Sequence, residues 1–204
     1  MTKGILLAIL LTVAGTLAGE YSGPKCLGPY CLNRRTSDRS LFKRLGITTH
    51  TSEPNLYCYQ SQSGVFLYFE TVDSEPHAVG DVFLSKFPNC MHMRVHDTPT
   101  NLMWKTDEGI GLGSNQEDVL RAYGNPTSQI PIIEGGTQSS RHKADTTQSI
   151  SKLRIRGFRT GDKSLIVADR RLFYRSTSNS DDLRAAEFGI RDGKVSWMFL
   201  SRNE

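Results

Sequence analysis

A short helix with both ends marked in the sequence is the feature that most constrains the fold of this 204-residue chain. The helix is predicted within residues 109–126. Ser114 is expected to cap its N-terminus, and Glu117 three residues later completes the pattern of a capping box. Gly124 suits the left-handed position after the last turn, and Pro126 stops the helix. A helix of about ten residues is marginal alone in water, so it must pack on another element.

An earlier stretch, residues 36–46, has the same layout. A hydroxyl residue opens it, apolar residues recur at helical spacing and a glycine ends it. When the two stretches are aligned, Thr36 matches Ser114 and Gly46 matches Gly124. Two interpretations stay open: an internal repeat, or the general pattern of any short capped helix.

The segments after each helix are rich in aromatic and β-branched residues and are separated by turn signals, which is typical of antiparallel strands. The predicted strands are residues 56–59, 65–72, 78–87 and 91–96 after the first helix, and 153–158, 164–168, 171–175, 186–190 and 194–200 after the second. Asp192-Gly193 between the last two favours a type I′ turn, because both central residues need positive φ. Val195, Trp197 and Phe199 alternate along the last strand and are expected to share its inward-facing side.

The predicted fold class is therefore α+β, a short helix packed on an antiparallel β-meander, with two tandem copies as one interpretation. Each meander is expected to have one apolar face that its helix helps to cover. The chain is expected to begin with a cleaved signal peptide at residues 1–19 and a cysteine-containing arm at residues 20–35. A first helix-plus-sheet unit is expected at residues 36–100, and a second at residues 105–204 with a loop insertion at 134–150.

The first residues have the pattern of a secretory signal peptide. Lys3 precedes a run of apolar and small residues from Ile5 to Ala18, shorter than the roughly 18–20 residues that a membrane-spanning helix needs. An uncleaved anchor is the alternative. Cleavage after this run predicts a secreted or periplasmic protein without stable membrane insertion. Loss of Lys3 lowers the net charge from +4 to +3, a mild value that argues against nucleic-acid binding.

The chain contains four cysteines, Cys26, Cys31, Cys58 and Cys90. An even number in an exported chain predicts two disulfides. We favour Cys26–Cys31, which closes a small loop, together with Cys58–Cys90, which joins two strands. The alternative is a crossed pairing between the arm and the sheet. A zinc site is disfavoured because Cys58 and Cys90 do not stand in closely spaced pairs.

No motif of the sequence assigns catalysis, a cofactor or a metal. The patterns His-Glu-x-x-His and Gly-x-Ser-x-Gly are absent. His92 and His96 would lie about 13 Å apart on a strand, too far for one metal ion. The glycines of residues 109–113 lack the Gly-Lys-Ser/Thr ending of a phosphate loop and are expected to bring backbone close to the sheet. We therefore predict no catalytic residue, no cofactor and no metal, and favour a non-enzymatic protein.

The second capped helix and its flanks resemble a pattern shared by small bacterial cell-envelope domains. These include β-lactamase-inhibitor-like proteins and the small lipoprotein of the outer-membrane β-barrel assembly machinery. The matching residues are Gly109, Gly113-Ser114, Val119-Leu120 and Tyr123-Gly124-Asn125-Pro126. The resemblance implies a short helix on an antiparallel sheet, sometimes in tandem, and binding by a sheet surface rather than catalysis. The chain departs from the lipoproteins at Glu20, where the lipidated cysteine would stand.

The sequence thus predicts an exported, non-enzymatic protein of the bacterial envelope or exterior that binds another envelope protein through a sheet surface. Tyr57, Tyr59 and Tyr68 are the candidate aromatic anchors of that surface. The alternative is a small-ligand-binding or hydrolytic protein with a site near residues 134–150, where His142 and Asp145 would act with a nucleophile. A secreted protein of purely structural role is the third hypothesis.

Overall fold

The computed structural model of the chain describes residues 21–32, 36–46, 56–72, 75–87, 94–131, 168–175 and 183–203. These residues form two helices and ten strands: β1 Cys26–Leu27, β2 Tyr30–Cys31, α1 Thr36–Leu45, β3 Leu56–Ser61, β4 Phe66–Val72, β5 Glu75–Ser85, β6 Val95–Thr98, α2 Gln116–Tyr123, β7 Ser128–Pro131, β8 Arg170–Arg175, β9 Leu183–Arg191 and β10 Lys194–Asn203. The predicted signal peptide, the insertion at 134–150 and the strand predicted at 153–158 lie outside the described residues.

Eight of these strands form one mixed sheet in the order β6-β3-β4-β5-β10-β9-β8-β7. Neighbouring strands are antiparallel, except that β6 runs parallel to β3. Strands that precede α2 lie on one side of the β5–β10 pair, and strands that follow it lie on the other. The α+β class is confirmed. The purely antiparallel meander is wrong at β6, because this strand points the same way as β5 and joins the far side of β3.

Both helices pack on the same face of the sheet, which we call the helix face. The ring of Phe42 in α1 lies 5.9 Å from that of Phe69 in β4. The ring of Tyr123 in α2 lies 5.9 Å from that of Phe188 in β9. These contacts belong to one hydrophobic core that contains residues of both helices and of β3, β4, β5, β8, β9 and β10. The short helices are thus stabilised by the burial of their apolar stripes, as their length requires.

The opposite face of the sheet is buried as well. Trp197 and Phe199 of β10 are only 6% and 5% exposed, and the ring of Trp197 stacks 5.4 Å from that of Phe83. The expectation of one apolar face per meander is therefore wrong. A strand such as β4, which begins Phe-Leu-Tyr-Phe, has the continuous apolar run that indicates burial on both faces.

A register shift in β10 corrects a second expectation. The pairing of β10 with β9 shifts between Val195 and Trp197. Val195 therefore joins the core on the helix face, whereas Trp197 and Phe199 lie on the opposite face. Simple alternation along the sequence does not reveal such an irregularity, because a bulge changes the side on which the following residues lie.

The two ends of α2 differ in how well they match the sequence. Gly124 has a φ of 71°, and its N–H donates to the carbonyl of Leu120 at 2.8 Å, so the predicted end is confirmed. The N-cap is Asn115 rather than Ser114, and the predicted capping box is wrong. The Ser114 hydroxyl instead accepts a hydrogen bond from the N–H of Gly111 at 3.0 Å. It closes the glycine-rich loop instead of capping the helix.

The hairpin between β9 and β10 has the predicted turn. Asp192 and Gly193 have φ values of 50° and 71°, as a type I′ turn requires. The turn end of this hairpin binds the glycine-rich loop, because the Gly113 N–H donates to the Val195 carbonyl and the Val195 N–H donates to the Ser114 carbonyl, each at 2.8 Å. The loop therefore joins α2 to the sheet through backbone contacts.

The described part of the arm, residues 21–32, packs into the fold. Its strands β1 and β2 pair antiparallel and are joined by the predicted Cys26–Cys31 disulfide, which is confirmed. Leu27 and Tyr30 are fully buried members of the core. Cys58 also takes part in a disulfide, while Cys90, its predicted partner, lies outside the described residues.

Candidate functional site

The three tyrosines predicted as interaction anchors do not share one surface. Tyr57 and Tyr59 lie on the helix face, and their rings stack against that of Phe69 at 4.8 and 6.1 Å. Tyr68 lies on the opposite face and is 1% exposed. Tyr59 is 7% exposed, and burial raises its pKa to about 12. Tyr57 is half-buried and keeps the largest exposed fraction of the three. The anchoring role of these residues stays a prediction.

Of the two histidines considered as metal ligands, only His96 lies in the described part of the chain. His96 is exposed on β6, with its ring 5.5 Å from that of Tyr59, and His92 lies outside the described residues. Among the described residues, no group of three His, Cys, Asp or Glu side chains could hold a metal ion. His142 and Asp145, the residues of the hydrolytic alternative, also lie outside the described part.

A cleft of about 310 Å³ opens between the arm, the turn after Thr106 and the helix α2. The arm contributes Tyr21 and Lys25, the turn contributes Asp107 and Glu108, and α2 contributes Tyr123. A volume of this size is at the lower end of the range of ligand sites, which is about 300–1,000 Å³. The cleft therefore suits one side chain or one small molecule.

The floor of the cleft is fixed by Tyr123. Its hydroxyl donates to Thr106 Oγ1 at 2.6 Å, and Asp107 Oδ1 lies 3.3 Å away. The backbone N–H of Glu108 also hydrogen-bonds the phenol oxygen. Burial, together with the nearby Asp107 carboxylate, raises the pKa of Tyr123, so the phenol stays neutral. Three partners thus hold a buried ring in place at the end of α2.

Asp107 connects the arm to this floor. Its two carboxylate oxygens lie 3.2 and 3.3 Å from the backbone nitrogen of Lys25, whose N–H donates to them. Tyr21 forms the other wall, and its hydroxyl donates to the Pro24 carbonyl at 2.9 Å. A Cβ at Gly23 would lie 2.6 Å from that hydroxyl oxygen, so glycine lets the arm pass close to the tyrosine. Hydrogen bonds between side chains and backbone therefore tie the arm to the turn and fix the Tyr21 ring on the arm.

The cleft combines two buried tyrosines with exposed charged residues. Tyr21 and Tyr123 are 9% and 5% exposed, whereas Lys25, Asp107 and Glu108 are exposed. The rim carries two carboxylates and one ammonium group. Such an arrangement can hold a ligand by apolar contact and by charge-assisted hydrogen bonds.

Two buried carboxyl groups lie elsewhere, on the opposite face of the sheet. Burial raises the pKa of Glu187 to about 7, although Arg171, with Nη1 3.4 Å from Oε2, lowers it. Burial raises the pKa of Asp81 to about 6, against a hydrogen bond from Ser201 that lowers it. Neither residue lines the cleft. They make the stability of the fold depend on pH.

Sequence reasoning missed the cleft entirely. Lys25 and Asp107 are 82 positions apart, and no motif links them. Aspartate, glutamate, lysine and tyrosine are common residue types, and their positions in the sequence do not indicate that they meet. Only the packing of the arm on the core brings the residues of the cleft together.

No known protein family, no curated protein and no solved structure matches this chain. The resemblance to envelope domains therefore stays a prediction. Within the described ranges, no helix is both long enough and apolar enough to cross a membrane.

Proposed function

We propose that this chain is an exported, non-enzymatic protein of the bacterial envelope or exterior, and that it binds another protein at the cleft between the arm and α2. The observation that carries the proposal is the cleft itself. Two buried tyrosines, Tyr21 and Tyr123, meet there beside exposed charged groups. Aromatic residues in a pocket with a polar rim are typical of the centre of a protein interface.

The burial of the sheet favours the cleft over the sheet faces. On the helix face, Leu67 and Leu84 are fully buried, and on the opposite face Tyr68 is 1% exposed. A partner would have to displace packed side chains to reach these faces. The cleft is open already, so binding there requires no loss of core packing.

The rigidity of the cleft supports a binding role. The arm is held by the Cys26–Cys31 disulfide and by the bond from the Gly28 N–H to the Lys105 carbonyl at 2.9 Å. Asp107 ties the arm to the turn. Walls that are ordered before the partner arrives lower the entropic cost of association.

The disulfide also supports export, since such bonds persist in oxidising compartments. The leader pattern of residues 1–19 agrees with that location. We further propose that the two helix-plus-sheet units are tandem copies. Leu41 of α1 and Val119 of α2 are both fully buried at matching positions, and Gly46 and Gly124 end the helices with φ values of 70° and 71°.

The sheet edge at β6 is a second candidate surface, favoured by its exposure. Val95 of β6 is 41% exposed, and its neighbours Arg94, His96 and Asp97 are exposed as well. A substitution at this edge can test the hypothesis that the partner binds a surface of the sheet. Val95→Asp should weaken partner binding if the edge is the contact, and should leave it unchanged if the cleft is.

Partner capture with matched variants tests the proposal. Ala122 lines the cleft on α2, and Ala122→Arg would fill part of the cleft with a residue that helices accept well. Ser40→Arg, on the exposed side of α1, is the matched control. Immobilised mature protein and its Ser40→Arg variant should retain the same envelope protein, identified by mass spectrometry, and folded Ala122→Arg should lose it. Equal capture by all three would contradict the proposal.

A further inference from the structure

We draw no further inference here: the strongest candidate, the buried Glu187 carboxyl between Phe173 and Phe199 on the opposite face of the sheet, rests on its raised pKa, and nothing in the described part of the chain shows what covers that face.

Discussion

Gly28→Ala should destabilise the protein far more than a comparable glycine substitution elsewhere. Gly28 has a φ of 56°, where an alanine costs about 1–2 kcal/mol, and the stiffer unfolded chain returns about 0.4–1 kcal/mol. The new Cβ would also lie 2.5 Å from Cδ2 of buried Trp104. Forced overpacking of this kind costs about 1–3 kcal/mol. The expected loss in the free energy of unfolding is therefore about 3 kcal/mol.

Gly64→Ala is the matched control. Gly64 has a φ of 72°, but nothing lies within 4 Å of the position of its Cβ. Only the backbone effect remains there, so the expected loss is about 1 kcal/mol. The difference of about 2 kcal/mol between the two variants measures the packing of the arm on Trp104.

Urea denaturation, followed by far-ultraviolet circular dichroism, gives both free energies, provided that the slopes of the transitions agree. Thermal melts should show the same order, because 1 kcal/mol shifts the midpoint by about 2–4 °C in a chain of this size. Equal losses in Gly28→Ala and Gly64→Ala would refute the close packing of the arm against Trp104, and with it the rigid wall of the cleft.

Two further predictions concern the arm and the buried carboxyls. Replacing Cys26 and Cys31 by serine should lower the free energy of unfolding by about 2 kcal/mol, since the bond closes a short loop, and should weaken partner capture; an unchanged urea midpoint would contradict this. Raised pKa values mean that folded Glu187 and Asp81 keep protons which the unfolded chain loses from about pH 4 upward, so stability should fall as the pH rises to about 7. Glu187→Gln should reduce this fall by up to about 3 kcal/mol between about pH 5 and pH 8, and the same pH dependence in both proteins would exclude Glu187 as a cause.

Local signals in the sequence predicted local structure well. Gly46 and Gly124 end the helices, and Asp192-Gly193 forms the turn between β9 and β10. These features are predictable because the ability to adopt a positive φ depends on the type of the residue itself. The N-cap was misplaced by one residue for an equally physical reason. Ser114 and Asn115 are both good capping residues, and the loop took the hydroxyl of Ser114 for the Gly111 N–H.

Long-range pairing was beyond the sequence pattern. The contact of β5 with β10 joins Ser85 to Trp197, and nothing local to either residue specifies the other. The cleft has the same origin, since Asp107 meets Lys25 only because Leu27 and Tyr30 dock the arm on the core. The predicted tyrosine anchors show a further limit of local patterns. Aromatic enrichment indicates a strand, but it does not distinguish a buried tyrosine such as Tyr68 from an exposed one.

Photo-crosslinking from the cleft tests the central claim most directly. A photoreactive phenylalanine analogue placed at Ala122, which lines the cleft, is compared with the same analogue at Ser40 on the exposed side of α1. The account predicts one major adduct with an envelope protein from position 122 and none from position 40. No adduct from position 122, or the same adducts from both positions, would contradict the claim that the cleft is the binding site.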